Sequence, residues 1–112
     1  MDLEFIVNKL NLKLICCEGN LKREVLGGYV GDLLSDVMAN SKKGDVWVTR
    51  QIHQNIVAVA SLKEHAGIIL VQGVSPEKDT IEKASKEGIP VMISKVSAFE
   101  TVGKIYQLVN SK

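Results

Sequence analysis

The sequence predicts an α/β fold, a three-layer α/β/α arrangement with a mostly parallel sheet in a single domain. Three observations carry this. From Val46 onward, short apolar runs alternate with amphipathic stretches in the order strand–helix–strand–helix–strand–helix. The clearest run, Ile68-Ile69-Leu70-Val71, is apolar at consecutive positions, as befits a strand covered on both faces. The chain has 112 residues, 46% of them apolar, enough for one domain to fold around its own core without staples.

The elements follow in order. Asp2 is placed to cap a short helix whose apolar residues Leu3, Ile6, Val7 and Leu10 recur at helical spacing. Leu12-Lys13-Leu14-Ile15-Cys16 alternates as a strand does, and Glu18-Gly19-Asn20 breaks it. Between Arg23 and Val30, the pair Gly27-Gly28 in a short apolar segment predicts a bent or bulged edge strand. From Gly31-Asp32 the period becomes helical, with Leu33, Leu34, Val37 and Met38 on one face as far as Asn40. Ser41-Lys42-Lys43-Gly44-Asp45 reads as a turn, and Val46-Trp47-Val48-Thr49 as a strand.

Residues 51–65 place Ile52, Ile56, Val59, Ala60 and Lys63 on one helical stripe. The stretch 56–59 also alternates, but the alanines and the polar tail favour helix. Gly67 is expected to end this helix before the buried run at 68–71. Ser75-Pro76 predicts the next helix start, with serine as N-cap and proline at the first helical position. This helix carries Ile81 and Ala84 and stops at Gly88; Pro90-Val91-Met92-Ile93 is the next buried strand. Ser97-Ala98-Phe99-Glu100 has capping-box spacing, and Phe99, Val102, Ile105, Tyr106 and Val109 form the last apolar face.

Composition narrows the function. Fourteen Lys+Arg against 13 Asp+Glu leave a formal charge of +1, which excludes a strongly basic nucleic-acid or membrane footprint. Lys42, Lys43, Lys83, Lys86 and Lys104 scatter among acids, and one Trp, two Tyr and two Phe offer few rings for stacking bases. No apolar run spans a bilayer, and Met1-Asp2-Leu3-Glu4 lacks the cationic start of a signal peptide, so a soluble cytoplasmic protein is expected. Cys16 and Cys17 are adjacent, a spacing that suits neither a secreted disulfide framework nor a zinc site. One is expected to pack as a small apolar side chain and the other to face the opposite side of a strand.

In an open parallel sheet, ligands gather at the carboxyl ends of the strands, beside the unpaired N–H groups of the following helices. That rule selects Thr49-Arg50-Gln51 with His53 and Asn55, Gln72-Gly73-Val74-Ser75, and Ser94-Lys95-Val96-Ser97. The candidate ligand-binding residues are therefore Thr49, Arg50, His53, Asn55, Gly73, Ser75, Ser94 and Ser97. Their chemistry suits a phosphate or carboxylate. Each has a plainer reading as well: Ser75 and Ser97 as helix caps, Gly73 as a turn residue, His53 as a surface histidine. Arg50 at a helix start opposes the dipole, which leaves open whether it pairs with an anion or carboxylate. Asp32 and Asp36, four apart, read as a solvated face. Dinucleotide, phosphate-loop and nucleophile-elbow patterns are missing; Gly103-Lys104 is followed by Ile105, inside a helix. No catalytic residue, metal ligand or cofactor is assigned.

With these residues at the strand ends, residues 1–112 resemble the DRTGG domain family. Members accompany phosphotransacetylases and CBS-domain pyrophosphatases, and the fold is similar to the N-terminal domain of HPr kinase/phosphorylase. The likeness is strongest over residues 46–106, and Gly31-Asp32-Leu33-Leu34-Ser35-Asp36-Val37-Met38-Ala39 resembles a stretch of small stand-alone members. The family's Asp-Arg pair corresponds to Thr49-Arg50, which keeps the arginine. Its Thr-Gly-Gly corresponds to Val71-Gln72-Gly73, which keeps one glycine.

The resemblance implies a stand-alone regulatory or interaction module without catalytic activity. It would sense a nucleotide or other anionic metabolite and act on a partner enzyme or signalling protein. A homodimer is expected, with Tyr29, Trp47 or Phe99 available at its interface. Neither nucleic acid nor membrane is an expected partner. The competing readings are phosphoryl or acyl transfer through His53 and a purely structural dimerisation module.

Overall fold

The computed structural model describes residues 1–111. Its elements are α1 (Leu3–Lys9), β1 (Lys13–Cys16), a 3-10 turn (Glu18–Asn20), β2 (Gly27–Val30), α2 (Leu34–Asn40), β3 (Asp45–Thr49), α3 (Asn55–Leu62), β4 (Gly67–Leu70), α4 (Lys78–Glu87), β5 (Val91–Ile93) and α5 (Ala98–Val109). One five-stranded sheet has the order β1-β5-β4-β3-β2. Strands β2 to β5 are parallel, and β1 joins β5 antiparallel.

The four parallel strands lie in sequence order, so successive right-handed crossovers set their helices on one face. There Val37 of α2, Ile56, Val57 and Ala60 of α3 and Ala84 of α4 pack with Trp47, Ile68, Leu70 and Val91. On the other face, Leu3 and Ile6 of α1 and Ile105 of α5 cover Val46, Val48, Ile69 and Met92. Alternate residues of β3, β4 and β5 therefore enter opposite cores, the three-layer arrangement expected from consecutive apolar positions.

Several local expectations need correction. Strand β2 is an edge strand without a bulge: Gly27 to Val30 pair in unbroken register with Asp45 to Val48. Gly27 is small because of close approach, since a Cβ there would meet Asp45 Oδ1 at 3.0 Å. The register shift falls in β1 instead, between Leu14 and Cys16. Helix α2 buries only Val37 fully, and Leu33, at its N-cap, is 68% exposed. Helix α3 is shorter than residues 51–65 and leaves Ile52 in the preceding loop; Glu64 turns with φ +54° after the helix, and Gly67 is already in β4.

Ser75 does not cap α4. The N-cap lies two residues later, at Glu77, whose N–H donates to the Ile52 carbonyl at 3.2 Å while Thr80 Oγ1 donates to the same oxygen at 2.6 Å. This tether fixes where the helix begins. Gly88 does end it, in left-handed conformation with φ +72°. Ser97 caps α5, accepting from Glu100 N–H at 3.2 Å, while the Glu100 carboxylate pairs with Lys104 at 3.1 Å. Phe99 and Tyr106 point outward, 91% and 70% exposed; Thr101 and Ile105 occupy the buried face. Trp47 is fully buried and donates from Nε1 to the Gly31 carbonyl at 2.9 Å, so it is no surface for a dimer.

Candidate functional site

The carboxyl ends of β2, β3, β4 and β5 form one continuous rim, stitched by the backbone. Gly31 N–H donates to Val48 O, Val71 N–H to Thr49 O, and Ser94 N–H to Leu70 O, at 3.1, 3.3 and 2.7 Å. Beyond the strands, Gln72 N–H reaches Val96 O and Gly73 N–H reaches Ser94 O, both at 2.9 Å. The segments holding Thr49-Arg50, Gln72-Gly73 and Ser94-Ser97 are thus brought together, as the strand-end rule requires.

The hub of the rim is Asp32, just beyond β2. Its Oδ1 accepts from Thr49 Oγ1 at 2.7 Å and from Arg50 N–H at 2.8 Å. Gln51 closes the corner: its N–H donates to Thr49 Oγ1 at 3.1 Å, and its Nε2 donates to the Asp32 carbonyl at 2.9 Å. This bracing fixes the backbone beneath Arg50 while the residue itself stays exposed. Arg50 is not at a helix start, because α3 begins only at Asn55, so the dipole penalty weighed from the sequence does not arise. Asp32 is exposed, as a solvated face requires, but its carboxylate is engaged, and Asp36 is half-buried. Asp36 accepts from the Tyr29 hydroxyl, and this hydrogen bond holds the phenol above its usual pKa.

The other candidates divide by what their polar atoms already do. His53 is exposed, and its Nδ1 accepts from Asn55 N–H at 3.1 Å, which caps α3 with an imidazole. Asn55 is the first residue of that helix. Gly73 has φ +67° with open space where a Cβ would stand, so a turn rather than crowding requires the glycine. Gln72 beside it is also left-handed, with φ +58°. Ser75 is exposed in the loop before α4. Ser94 is buried, its Oγ 2.9 Å from Thr101 Oγ1, and Ser97 is engaged as a cap.

A cavity of about 170 Å³ opens on the α5 side of the rim, lined by Leu10, Asn11, Ser94, Lys95, Val96, Thr101 and Lys104. Of the sequence candidates it takes in Ser94 alone. Asp32, Gln51 and Lys95 are the rim residues that sequence reasoning left out of the site. A signal for Asp32 existed: it lies within two residues of a strand end, as Arg50, Gln72 and Ser94 do. Among the described residues no cluster of three metal-ligating side chains occurs.

The sequence profile of the DRTGG domain matches residues 5–108. The chain belongs to the DRTGG domain family. No curated protein matches the chain. Among solved structures, it is similar to the CBS and DRTGG domains of the regulatory region of Clostridium perfringens pyrophosphatase, complexed with the activator diadenosine tetraphosphate. The identity is 22% and the TM-score 0.71; the match covers 97% of this chain and 46% of that one. The chain thus spans less than half of the structure it matches, and the likeness is one of fold. The carboxylate at the Thr49 corner arrives from the neighbouring strand end as Asp32. Gln72 adopts a left-handed backbone without a glycine's freedom.

Proposed function

We propose that residues 1–112 form a regulatory DRTGG domain that binds an anionic, nucleotide-like ligand at the strand-end rim and acts on a partner enzyme as a homodimer. The observation that carries this reading is the braced Arg50 corner. Asp32 and Gln51 hold the loop rigidly, while the arginine guanidinium makes no ion pair with a described residue and is presented to solvent. A planar, multiply donating cation on a braced backbone suits a phosphate. The solved relative supports the ligand class, since its regulatory region holds a dinucleoside polyphosphate activator.

A ligand screen by melting temperature tests this, with diadenosine tetraphosphate, mononucleotides and acyl phosphates. Binding to the native state at 100 times the dissociation constant adds ~2.7 kcal/mol, enough to raise the melting temperature measurably. The expected result is a rise with a phosphate ligand that Arg50→Ala removes. No rise with any compound, or equal rises in parent and variant, overturns the rim site.

The homodimer is assigned to the β2 edge. An apolar groove of about 290 Å³ runs between that strand and α5, bordered by Leu26, Gly28, Val30, Val102, Ile105 and Tyr106. The edge carries no charge, proline or bulge to discourage pairing. Transfer chemistry through His53 gains nothing here, because its Nδ1 is committed to the start of α3.

A further inference from the structure

The two cysteines form a constellation apart from the rim. Successive strand residues face opposite sides, and the sequence leads to that expectation for Cys16 and Cys17. Two irregularities undo it. The pairing of β1 with β5 slips between Leu14 and Cys16, and Cys17 adopts left-handed backbone with φ +70°. Both side chains then converge: Cys17 Sγ lies 3.4 Å from Cys16 Sγ and 3.4 Å from the Ala84 carbonyl oxygen. Cys16 Sγ lies 3.6 Å from the Ile89 carbonyl oxygen. Both cysteines are free and half-buried. The two carbonyls belong to the end of α4 and the turn into β5, so the sulfurs rest against packed elements.

The two sulfurs are in direct contact, close enough for one atom to bridge them. A disulfide of about 2.05 Å would require closure by more than an ångström within an eight-membered ring. A tetrahedral zinc ion, with bonds of about 2.3 Å, would spread the pair to ~3.8 Å. Among the described residues, no third His, Cys, Asp or Glu gathers to complete such a site. A pyramidal centre with bonds of about that same length, meeting at slightly more than a right angle, spans ~3.4 Å. Trivalent arsenic has that shape, and soft sulfur ligands prefer soft centres.

We propose that Cys16 and Cys17 are a preorganised dithiol clamp for a soft trivalent centre of the organoarsenical class. The reaction is an exchange without redox change. Two As–S bonds form while two As–O bonds and two S–H bonds break, and each hydroxyl leaves with a thiol proton as water. Burial, then the neighbouring Cys16 thiol, pushes the Cys17 thiol up to about 12. A thiol that stays protonated is a poor target for peroxide. One atom bridging both sulfurs also avoids setting two thiolates side by side.

Phenylarsine oxide, which hydrates to the dihydroxide, is the probe for the whole chain. One equivalent is expected to abolish titration of both thiols, to add one phenylarsenic group by intact mass, and to raise the melting temperature. Excess monothiol should strip the adduct from Cys16→Ser and Cys17→Ser at a concentration about tenfold lower than from the parent. Two arsenic groups per chain, a thiol still titrating after one equivalent, equal stripping of parent and variants, or a lowered melting temperature each overturns the clamp. Should either variant fail to fold, the stoichiometry and melting of the parent decide alone.

Discussion

Asp32 works through one oxygen that satisfies two donors at the mouth of the sheet. Hydrogen bonds to an ionised acceptor are worth more than neutral ones, so Asp32→Ala should cost about 1–2 kcal/mol in urea unfolding, with Asp32→Asn recovering part of it. His65 makes a different residue-scale statement. It is buried, its Nε2 2.8 Å from Ser41 Oγ, which itself donates to the Val37 carbonyl at 2.6 Å; its Nδ1 has no partner among the described residues. The imidazole therefore donates from Nε2 and is held neutral. Burial lowers its pKa, a repulsion from Lys63 adds to that, and an attraction from Asp45 opposes it. The unfolded state binds the proton more readily, so stability is full above about pH 6.5 and falls as pH drops from there toward the folded pKa. The slope is up to ~1.4 kcal/mol per pH unit, and His65→Gln, which keeps an N–H for Ser41, should flatten it in unfolding curves recorded from pH 7.5 to 5. At Gln72 the left-handed backbone costs a side chain about 1 kcal/mol, partly offset by the entropy of glycine. Gln72→Gly should thus leave stability unchanged or raise it by up to ~1 kcal/mol in the same unfolding assay. None of these roles was legible from residue type. Asp32 looked like half of a solvated carboxylate pair because its two donors belong to another strand. His65 looked like the tail of a helix because Ser41 lies in a distant loop.

Element by element, periodicity worked where burial was complete and failed where a face was shared with solvent. The runs at 46–49, 68–71 and 90–93 fall on β3, β4 and β5 because those strands have no exposed side to confuse the pattern. Helix α5 misled, since two of its large apolar residues, Phe99 and Tyr106, point outward while Thr101 goes in, paired through its hydroxyl with Ser94. Helix α4 also misled at its start, where the tether to Ile52 overrides the serine–proline cue. The outward residues of α5 matter beside β2. A charge on the exposed edge should oppose pairing, so Val30→Lys is expected to give a monomer where the parent sediments as a dimer, with little change in melting temperature. Sedimentation of both proteins across a range of concentrations reads this directly.

Across the whole molecule, strand order explains why the rim was foreseeable and its depth was not. The strand-end rule pointed from sequence to loops that the sheet brings to one rim. Yet β2 to β5 run in one direction without reversing, so no crevice opens between oppositely directed crossovers of the kind that holds dinucleotides. A ligand at the proposed rim site would therefore be held from above, by loops and Arg50. That leaves the ligand's outer side free for a partner, and a phosphate ligand should strengthen association with the partner enzyme in a pull-down titration. The pairing of β1 with β5 has another consequence. Lys13 meets Ile93, so the first strand of this domain docks against its last. At ~5–20 residues per second, translation leaves that nascent segment waiting roughly 4–16 s for its neighbour, long enough for a chaperone to find it.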